Sequence, residues 1–531
     1  MPLNCFRTNT NLSLQWPCPP IKMAVLLAAK RDSDKDSVAV VQLDNDGSAQ
    51  ILGKVDLPGS SGGFAYNIDW AYNNGMEGPR YLVVASTKDS CVSFIEIREE
   101  HSTVEMKVCQ TFDDKQLGMK CSLIEPFAVH HFEGRTFIGG LAECGTAGWL
   151  SFDEAAQSFA VIRATHLLDQ DDSCRREFRQ AGPRRRKQWP MLQRQNSSSG
   201  DSAGSSPVIT RLEHKTLSST DRLKFYLAGG FADYEGVRGG EFAVHPSGKY
   251  IVACEFGDEG LLRPCSVNSD ERRRKKELKE QDVFRQSRIT LWELLENEPA
   301  VRDTLVLDNS HAMICAIKFC HLPLHHSIAY GVCALSSTLI RISMYDGVPE
   351  SLSASCEYKF KRRRFFPSFN RRIPSFPSDL VISPEDDFVF VCCHLSREIV
   401  AMRRDARKSS HHIKKWASLK IGKNEVRPRH RLLSGDKMPL LEKTLPEGGP
   451  GRLSLDWPNE RIFVSNSYAR SVDEDFYPSV NQAQIWEIAI NREAIPSLRL
   501  FLRRVFNLDV HGFLPRQILP LRVPFMPYFP V

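Results

Sequence analysis

The chain has 531 residues, of which 42% are hydrophobic and 25% charged, proportions that exclude a fibrous or wholly disordered protein. The net charge is only +6 on 70 basic and 64 acidic residues, so overall charge does not favour a nucleic-acid partner, and we expect none. The 15 cysteines include no CxxC pair, which excludes zinc ribbons and indicates reduced thiols in a cytoplasmic protein. No run approaches 18 apolar residues, so we expect no membrane span.

Short extended runs dominate the chain, separated by Gly, Pro, Asp, Asn and Ser, the residues that supply turn dihedrals. The predicted strands, in chain order, are Ser37–Leu43, Tyr81–Ala85, Cys91–Ile97, Ile289–Leu294, Ile328–Leu335, Leu339–Met344, Phe388–Cys392 and Ile485–Ile490. Helical patterns are nearly absent, and the best candidate, Asp270–Gln286, is mostly charged. The sequence therefore predicts an all-β protein.

Three segments repeat one unit of strand, Pro-containing turn and strand: Phe242–Ala253, Leu380–Val391 and Leu453–Val464. Such a unit is typical of the blades of a β-propeller, where it forms two strands of a small sheet. A β-sandwich also alternates strands and turns. An internal repeat within strand-rich sequence over most of the chain favours the propeller.

The predicted propeller covers residues 23–500, with residues 1–22 as an N-terminal extension and 501–531 as an atypical C-terminal tail. Four polar or basic stretches interrupt it, and we predict them to be insertions between strands: about 169–222, 266–286, 359–375 and 403–446. Basic runs in these stretches include Arg272–Lys276 and Lys359–Arg372, of which the second also contains aromatic residues. Basic runs of this kind occur in nuclear-localisation signals and nucleic-acid sites, but solvated surface loops without a common target are the simpler interpretation.

The histidines offer few metal-ligand patterns. Adjacent residues on a strand point to opposite faces, so the doublets at 130–131, 325–326 and 411–412 do not pair on one ion. Cys392 and His394 are two residues apart and would share a face, although a buried strand cysteine explains Cys392 equally well. No GxSxG elbow, HExxH, Walker loop or dinucleotide fingerprint is present.

Three blocks of the chain resemble the selenium-binding protein family, also known as methanethiol oxidases. The first runs from Ile317–His321 to Ile340-Arg341, and the second covers Ser378–Met402. The third combines the following residues: Gly448-Gly449-Pro450, Leu453–Asp456, Arg461–Val464, Ser467, Asp473 and Phe476-Tyr477-Pro478. The resemblance implies a seven-bladed propeller, in agreement with the repeat, and we expect seven blades.

The resemblance also implies the family's chemistry, selenium binding and copper-dependent oxidation of methanethiol with O₂ and water to formaldehyde, hydrogen peroxide and sulfide. His321 is the one histidine that stands where the family has one, so it is the first candidate metal ligand, with His394 as a second. Cys121 is the candidate thiol for selenium. The family's N-terminal His and Cys motifs are missing from Ser60–Trp70, as is its terminal His-containing motif.

A redox metal needs several imidazole or thiolate ligands, and a selenium adduct needs an activated thiolate. The sequence thus leaves two main functions open. One is a methanethiol oxidase with a reduced ligand set, whose partners are small thiols or selenium species. The other is a catalytically inactive propeller that binds protein partners through its basic loops. A lactonase-like enzyme with carboxylates around a divalent cation is a third, weaker interpretation.

Overall fold

A computed structural model describes residues 20–166, 239–256, 287–421 and 446–521 of the chain, with shorter gaps inside these ranges. The candidate helix Asp270–Gln286 and the thiol candidate Cys121 lie outside the described residues. Among the described residues, no helix is long and apolar enough to cross a bilayer.

The described residues form small antiparallel sheets, which we number as blades in chain order. Blade 1 contains β1 (Ile21–Ala29), β2 (Lys35–Leu43) and β3 (Ala49–Ser61). Blade 2 contains β4 (Ala65–Asn73), β5 (Arg80–Ser86), β6 (Cys91–Glu100) and β7 (Thr103–Asp113). Blade 3 contains β8 (Leu123–Phe132), β9 (Arg135–Ala142), β10 (Thr146–Asp153) and β11 (Ser158–His166). Blade 4 contains β12 (Gly239–Val244), β13 (Tyr250–Phe256), β14 (Ser287–Leu294) and β15 (Pro299–Val306).

The second half of the chain continues the same pattern. Blade 5 contains β16 (Ile314–Phe319), β17 (Ile328–Cys333), β18 (Thr338–Met344) and β19 (Leu352–Lys359). A two-stranded hairpin follows, β20 (Arg363–Arg364) and β21 (Arg372–Ile373). Blade 6 contains β22 (Pro377–Ile382), β23 (Phe388–Cys393), β24 (Glu398–Arg404) and β25 (Ile413–Lys420). Blade 7 contains β26 (Leu453–Asp456), β27 (Arg461–Ser465), β28 (Ala483–Asn491) and β29 (Arg499–Leu508). The last strand, β30 (Phe513–Pro520), returns to blade 1.

The sheets close into a ring, which confirms the all-β propeller. The described residues form seven four-stranded sheets, and the innermost strand of each contacts that of the next. β30 pairs with β1 and is the innermost strand of blade 1, so the two ends of the described chain complete one sheet. Arg80 of blade 2 reinforces this closure, because its guanidinium donates to the carbonyl of Leu521 at 2.8 Å.

The closing strand corrects the predicted domain limits. Residues 501–520, predicted to be part of a tail, form most of β29 and the whole of β30. The predicted insertion at 403–446 contains β25, the outer strand of blade 6. The insertion at 359–375 contains the hairpin of β20 and β21. β25 and the hairpin were missed because Lys and Arg are frequent in their sequences, and outer strands bury too little surface to show an apolar pattern. β30 was missed because its partner strand, β1, lies at the other end of the sequence.

Each of the three repeated segments forms two adjacent strands of one blade, as the sequence predicts. In the structure these are the two innermost strands of the blade. Phe242–Ala253 spans β12 and β13, Leu380–Val391 spans β22 and β23, and Leu453–Val464 spans β26 and β27. The hydrophobic core lies between neighbouring sheets. Tyr330 of blade 5 packs in one cluster with Val391 of blade 6, and Phe390 on the opposite face of blade 6 packs in another.

The two ends of the ring differ in their connections, and blade 6 defines them. Its inner strands pair from Pro377 with Cys393 at one end to Ile382 with Val389 at the other. We call the end at Ile382 the turn end, because the short turn 383–387 closes it. We call the end at Pro377 the insertion end. Because the strands alternate in direction, second-to-third connections and blade-to-blade connections lie at the insertion end of every blade.

Candidate functional site

The two histidines predicted to bind metal lie at opposite ends of the ring. The backbone N–H of His321 donates to Oδ1 of Asp386 at 2.7 Å, in the turn that follows Ile382. His394 follows Cys393 at the insertion end. About five residues of strand separate the two positions, roughly 17 Å at the rise of an extended chain. The structure therefore does not bring His321 and His394 to one ion.

At the turn end, a buried carboxylate organises the turn that carries His321. The side chain of Asp386 has no exposed surface, and it accepts hydrogen bonds from the N–H groups of His321 and Leu322 at 2.7 and 2.9 Å. Its Oδ2 also lies 3.2 Å from Nδ1 of His325. Nη2 of Arg404 lies 2.9 Å from Nδ1 and 3.0 Å from Nε2 of the same ring. Because the carboxylate of Asp386 only accepts and faces Nδ1, we assign the proton of His325 to Nδ1, which leaves Nε2 to accept from the guanidinium.

The Nε2 atoms of the other two histidines in this turn face backbone carbonyls. His326 donates from Nε2 to the carbonyl of His321 at 2.9 Å. Nε2 of His321 lies 3.3 Å from the carbonyl oxygen of Ile382 in blade 6. A carbonyl only accepts, so the proton of His321 belongs on Nε2 and only Nδ1 carries a lone pair. His321 thus offers one donor atom at most, and its neighbours are engaged in structural hydrogen bonds.

At the insertion end, His394 is fully buried between blades 6 and 7. Its Nδ1 lies 3.2 Å from the carbonyl of Pro450, and its Nε2 lies 3.0 Å from Oδ1 of Asp473 without the alignment of a hydrogen bond. The other oxygen of Asp473 accepts from Oγ of Ser467 at 2.6 Å. Tyr477 donates from its hydroxyl to the carbonyl of His394 at 2.6 Å. Both ring nitrogens face protein oxygens, so neither is open to a metal ion.

This arrangement of His, Asp and Ser is not a hydrolytic triad. In a triad the imidazole lies between the serine and the carboxylate and takes the serine's proton. Here Asp473 lies between Ser467 and His394, and the serine hydroxyl donates to the carboxylate. The group fixes the segment before β28 against blade 6, with no activated nucleophile.

Glycines allow the loop before β26 to pack against His394. A Cβ atom at Gly449 would lie 2.5 Å from the carbonyl oxygen of His394, and one at Gly451 only 1.7 Å from that of Ser467. Gly448 has a φ of +78°, a conformation that favours glycine. The Gly448-Gly449-Pro450 block of the family resemblance is therefore explained by close backbone packing.

Blades 6 and 7 are also joined by a buried ion pair. Arg452 and Asp379 are separated by 3.8 Å between Nη1 and Oδ1, and both are nearly buried. The second oxygen of Asp379 accepts from the N–H of Leu453 at 2.8 Å. The hydroxyl of Ser378 adds a bond to the carbonyl of Gly451 at 2.9 Å. The second and third family-like blocks, far apart in sequence, thus meet at the insertion end.

The described cysteines near these blocks are unsuited to selenium or metal binding. Cys315, Cys392 and Cys393 are fully buried, and burial raises the pKa of each thiol. The Sγ of Cys392 donates to the carbonyl of Gly451 at 3.3 Å. Cys333 is likewise fully buried, in β17. Only the thiolate binds metals or attacks selenium species, so these thiols are inert packing groups.

The described residues do not fit a copper centre. Among them, no group of three or more His, Cys, Asp or Glu side chains is arranged to hold a metal ion. His321 offers a single nitrogen and His394 offers none. Copper prefers several imidazole or thiolate ligands in a defined geometry. Cys121 lies outside the described residues, so selenium binding there stays a prediction.

Sequence reasoning missed the two side chains that organise the turn end, Asp386 and Arg404. The signal for Asp386 was present in Ser383-Pro384-Glu385-Asp386, since Asp is a frequent turn residue that tolerates the φ of +58° found here. Nothing in the sequence indicated a role for Arg404, because a basic residue at the end of a strand is expected to be exposed to solvent. It is 6% exposed in the structure.

Comparison with known proteins finds relatives of one family. Residues 272–512 match the model described as "56kDa selenium binding protein (SBP56)". A "Putative selenium-binding protein" of Caenorhabditis briggsae is 23% identical over 261 residues, which is 46% of this chain and 47% of the relative. One of Caenorhabditis elegans is 24% identical over 269 residues, 47% of this chain and 45% of the relative. Each match spans about half the length of the relative, and the resemblance seen in the sequence is confirmed over this half.

Solved structures share the fold across nearly the whole chain. A hypothetical selenium-binding protein from Sulfolobus tokodaii aligns with a TM-score of 0.60 at 15% identity, covering 95% of this chain and 94% of that protein. The periplasmic gluconolactonase PpgL of Pseudomonas aeruginosa aligns with a TM-score of 0.50 at 10% identity, covering 94% and 100%. At these identities the similarity establishes the propeller and carries no function.

Proposed function

Since residues 272–512 make this chain a divergent relative of the selenium-binding protein family, we propose that it is a binding propeller without oxidase chemistry. One observation carries the proposal. The two histidines available for copper lie at opposite ends of the ring, and Nδ1 of His321 is the one nitrogen of the pair not facing a protein acceptor.

The retained family-like blocks support a structural role for the residues that resemble the family. Asp379, Ser467 and Asp473 all bond to backbone or neighbouring side chains at the junction of blades 6 and 7. The bond from Leu453 to Asp379 joins blades 6 and 7 across 74 residues of sequence, and the bonds of Asp473 fix the local segment that packs on His394. A propeller stabilised in this way presents its ends and its loops to partners, the usual use of the fold.

Methanethiol oxidation is the competing function, and the family match over the C-terminal half is the observation in its favour. It would need copper ligands supplied from residues outside the described part of the chain, with His321 contributing at most Nδ1. Selenium binding would need Cys121 as an accessible thiolate.

Metal analysis and a methanethiol assay on the full-length protein separate the two functions. We expect copper well below one ion per chain after dialysis against copper, and no hydrogen peroxide above the enzyme-free rate. Stoichiometric copper, with methanethiol-dependent peroxide that is lost in His321→Ala but kept in His325→Ala, would overturn the proposal. His325 is the matched control because it lies in the same turn and serves the same Asp386.

Selenium binding is tested separately by intact mass after incubation with selenite and a thiol. A selenium adduct that disappears in Cys121→Ser and persists in Cys356→Ser would establish the predicted selenium site. Cys356 is exposed, so it reports on non-specific reaction. We expect no adduct on Cys315, Cys392 or Cys393, because their thiols are buried.

A further inference from the structure

The outer strands of blades 6 and 7 differ in charge from those of the other blades. β25 and β29 each contain three Lys or Arg residues and no acidic residue. The outer strands β3, β7, β15 and β19 each contain at least one acidic residue, and β11 contains a single arginine. Positive charge is therefore concentrated on the outer rim of blades 6 and 7, and a surface of one sign attracts partners of the opposite sign.

The cations of this rim differ in whether the protein already neutralises them. On β29, Arg503 and Arg504 both donate to the buried carboxylate of Glu487, at 3.3 and 2.9 Å. Arg403, at the end of β24 in blade 6, is exposed. Its guanidinium makes no hydrogen bond or ion pair with any residue that the structure describes, so it stays available to a partner.

Arg403 and Lys414 lie together on the face of blade 6 that looks toward blade 7. Arg403 stands directly opposite Phe388 in β23 and Lys414 in β25, and directly opposite residues share a face of the sheet. Phe388 packs against the cluster between blades 6 and 7, which identifies the face. Lys415 is on the other face, where it binds Glu398 at 2.8 Å.

Two aromatic rings hold Arg403 in place. The central carbon of its guanidinium lies 5.9 Å from the ring centroid of Phe388 and 5.0 Å from that of Trp416. Such contacts restrain the arginine without using its N–H groups as donors to an acceptor. A guanidinium with free N–H groups can give two parallel hydrogen bonds to one carboxylate. Arg403 is thus positioned for an anionic group before any partner arrives.

Apolar surface continues from these cations along β25. The side chain of Trp416 is 36% exposed. Leu419 of β25 and Leu502 of β29 are partly exposed where they pack against the cluster between blades 6 and 7. A partner that meets Arg403 and Lys414 at the turn end would therefore also meet aliphatic side chains further along the strand.

The acidic side chains near this surface do not neutralise Arg403. Glu385 accepts from Nε1 of Trp457 at 2.9 Å, and Glu460 is paired with Arg492. Asp387 is exposed in the turn before β23. None of these three carboxylates bonds to Arg403, so the positive charge faces solvent.

The chemistry of the surface favours an acidic protein segment over nucleic acid. Single-stranded nucleic acid is held by aromatic side chains on which successive bases stack. Here Trp416 offers one exposed ring, and the apolar surface beyond it, at Leu419 and Leu502, is aliphatic. Aliphatic surface suits the apolar side chains of a peptide, and Arg403 and Lys414 suit its carboxylates.

We propose that Arg403, Lys414, Trp416, Leu419 and Leu502 form a docking surface for an acidic protein segment that has apolar residues between its carboxylates. We call these five residues the rim surface. The proposal rests on the binding role proposed above and names the class of partner. The carboxylates of the segment pair with Arg403 and Lys414, and its apolar residues cover Leu419 and Leu502.

Fluorescence anisotropy of the full-length protein with a labelled peptide tests the proposal. The peptide has about 12 residues, enough to span β25 when extended, with leucine at every third position and glutamate elsewhere. We expect the Kd to rise about fivefold or more in Arg403→Gln/Lys414→Gln, because two charge contacts are lost. Lys35→Gln/Lys249→Gln removes two exposed lysines of blades 1 and 4. This charge-matched control should bind like the parent protein.

Two further measurements separate the parts of the rim surface. Binding should weaken severalfold between about 50 and 200 mM salt, because exposed charges are screened. A peptide with serine in place of leucine should bind about threefold or more weakly, since Leu419 and Leu502 then lose their apolar partners. Thermal unfolding of each variant checks its folding, and if the double variant unfolds early, the exposed Lys414→Gln alone carries the test.

Three outcomes would overturn the proposal. One is no salt-dependent binding of the leucine-containing peptide, and another is an equal loss of affinity in the control Lys35→Gln/Lys249→Gln. The third is tighter binding of an oligothymidine that is lost in Arg403→Gln/Lys414→Gln, which would assign the rim surface to nucleic acid. The copper and methanethiol measurements do not involve these residues, so failure of this inference is distinct from failure of the proposed function.

Discussion

The turn end and the insertion end of the ring are stabilised in different ways. At the turn end, the described turns are short, and the side chains of Asp386 and Glu385 accept hydrogen bonds from the neighbouring blades. At the insertion end, backbone packs directly on backbone through Gly449 and Gly451, and long segments leave between the strands. The first arrangement leaves little room for insertions. The second fixes a few contact points and lets the intervening chain vary, because lengthening a loop adds little closure entropy.

The largest expected effect lies at the closest contact of the insertion end. Gly451→Ala would place a Cβ atom 1.7 Å from the carbonyl oxygen of Ser467, so the loop must move away from blade 7. We expect the free energy of unfolding to fall by about 4 kcal/mol or more, measured by urea unfolding. Gly47→Ala at the turn end is the matched control. A Cβ atom added there would have no other atom within 4 Å. The expected loss comes only from placing a side chain at a φ of +92° and is about 1 kcal/mol. Equal losses in the two variants would contradict the contrast between the ends.

The next effect concerns the buried carboxylate of the turn end. Asp386→Asn keeps the shape and the tolerance for positive φ, but it removes the charge that accepts from His321 and Leu322. An amide group then faces these backbone donors, and its NH₂ cannot accept from either of them. We expect a loss of about 3 kcal/mol. The neighbouring Asp387 is exposed, so Asp387→Asn should change stability by less than about 0.5 kcal/mol. Similar losses for both would show that the cluster does not organise the turn.

The buried thiols of the insertion end predict a dependence on pH. Burial raises the pKa of Cys315, Cys392 and Cys393, so the native thiols stay protonated where unfolded thiols ionise, near pH ~8.5. Their contribution to stability is complete below that pH and is lost as the pH rises, by about 1.4 kcal/mol per pH unit for each thiol. Urea unfolding between pH 8 and 10 measures the slope.

Two variants identify the source of that slope. Cys392→Ala should reduce it by about 1.4 kcal/mol per pH unit, the share of one buried thiol. Cys356→Ala should leave it unchanged, because Cys356 is exposed. A slope that does not respond to Cys392→Ala would show that other groups cause it.

The smallest expected effect is at the most exposed apolar side chain described, Leu324 in the turn after β16. Its surface is 90% exposed, so Leu324→Ala should change the free energy of unfolding by less than about 0.5 kcal/mol. Leu339→Ala, at a fully buried position near the insertion end of blade 5, should cost about 2–5 kcal/mol. A comparable loss at Leu324 would mean that the turn end packs against a further part of the chain.

The eight strands predicted from extended runs are all second or third strands of their blades, and none is an outer strand. Phe388–Cys392 and Ile485–Ile490 are buried on both faces, so they read as continuous apolar runs. The outer strand β25 exposes Lys414, Trp416 and Lys420 and was taken for an insertion. Its strand geometry comes from pairing with β24, which local composition does not encode.

The candidate site was predicted less well than the fold. The resemblance to the family identified His321 and His394, but alignment order carries no information about which end of a blade a residue occupies. His321 follows the first strand of its blade and His394 follows the second strand of the next. Because these strands run in opposite directions, the two histidines lie a full strand length apart. Asp386 and Arg404, which hold the turn of His321, come from another blade and gave no pattern together.

Local sequence determined the all-β character, the strand-turn-strand units and the middle strands of the blades, because alternation, apolar runs and turn residues act over a few positions. Closure of the ring decided the rest. It made the C-terminal β30 a partner of β1 and placed His321 and His394 at opposite ends of the ring. These are consequences of antiparallel strands repeated around a circle, so they appear only when every blade has taken its place.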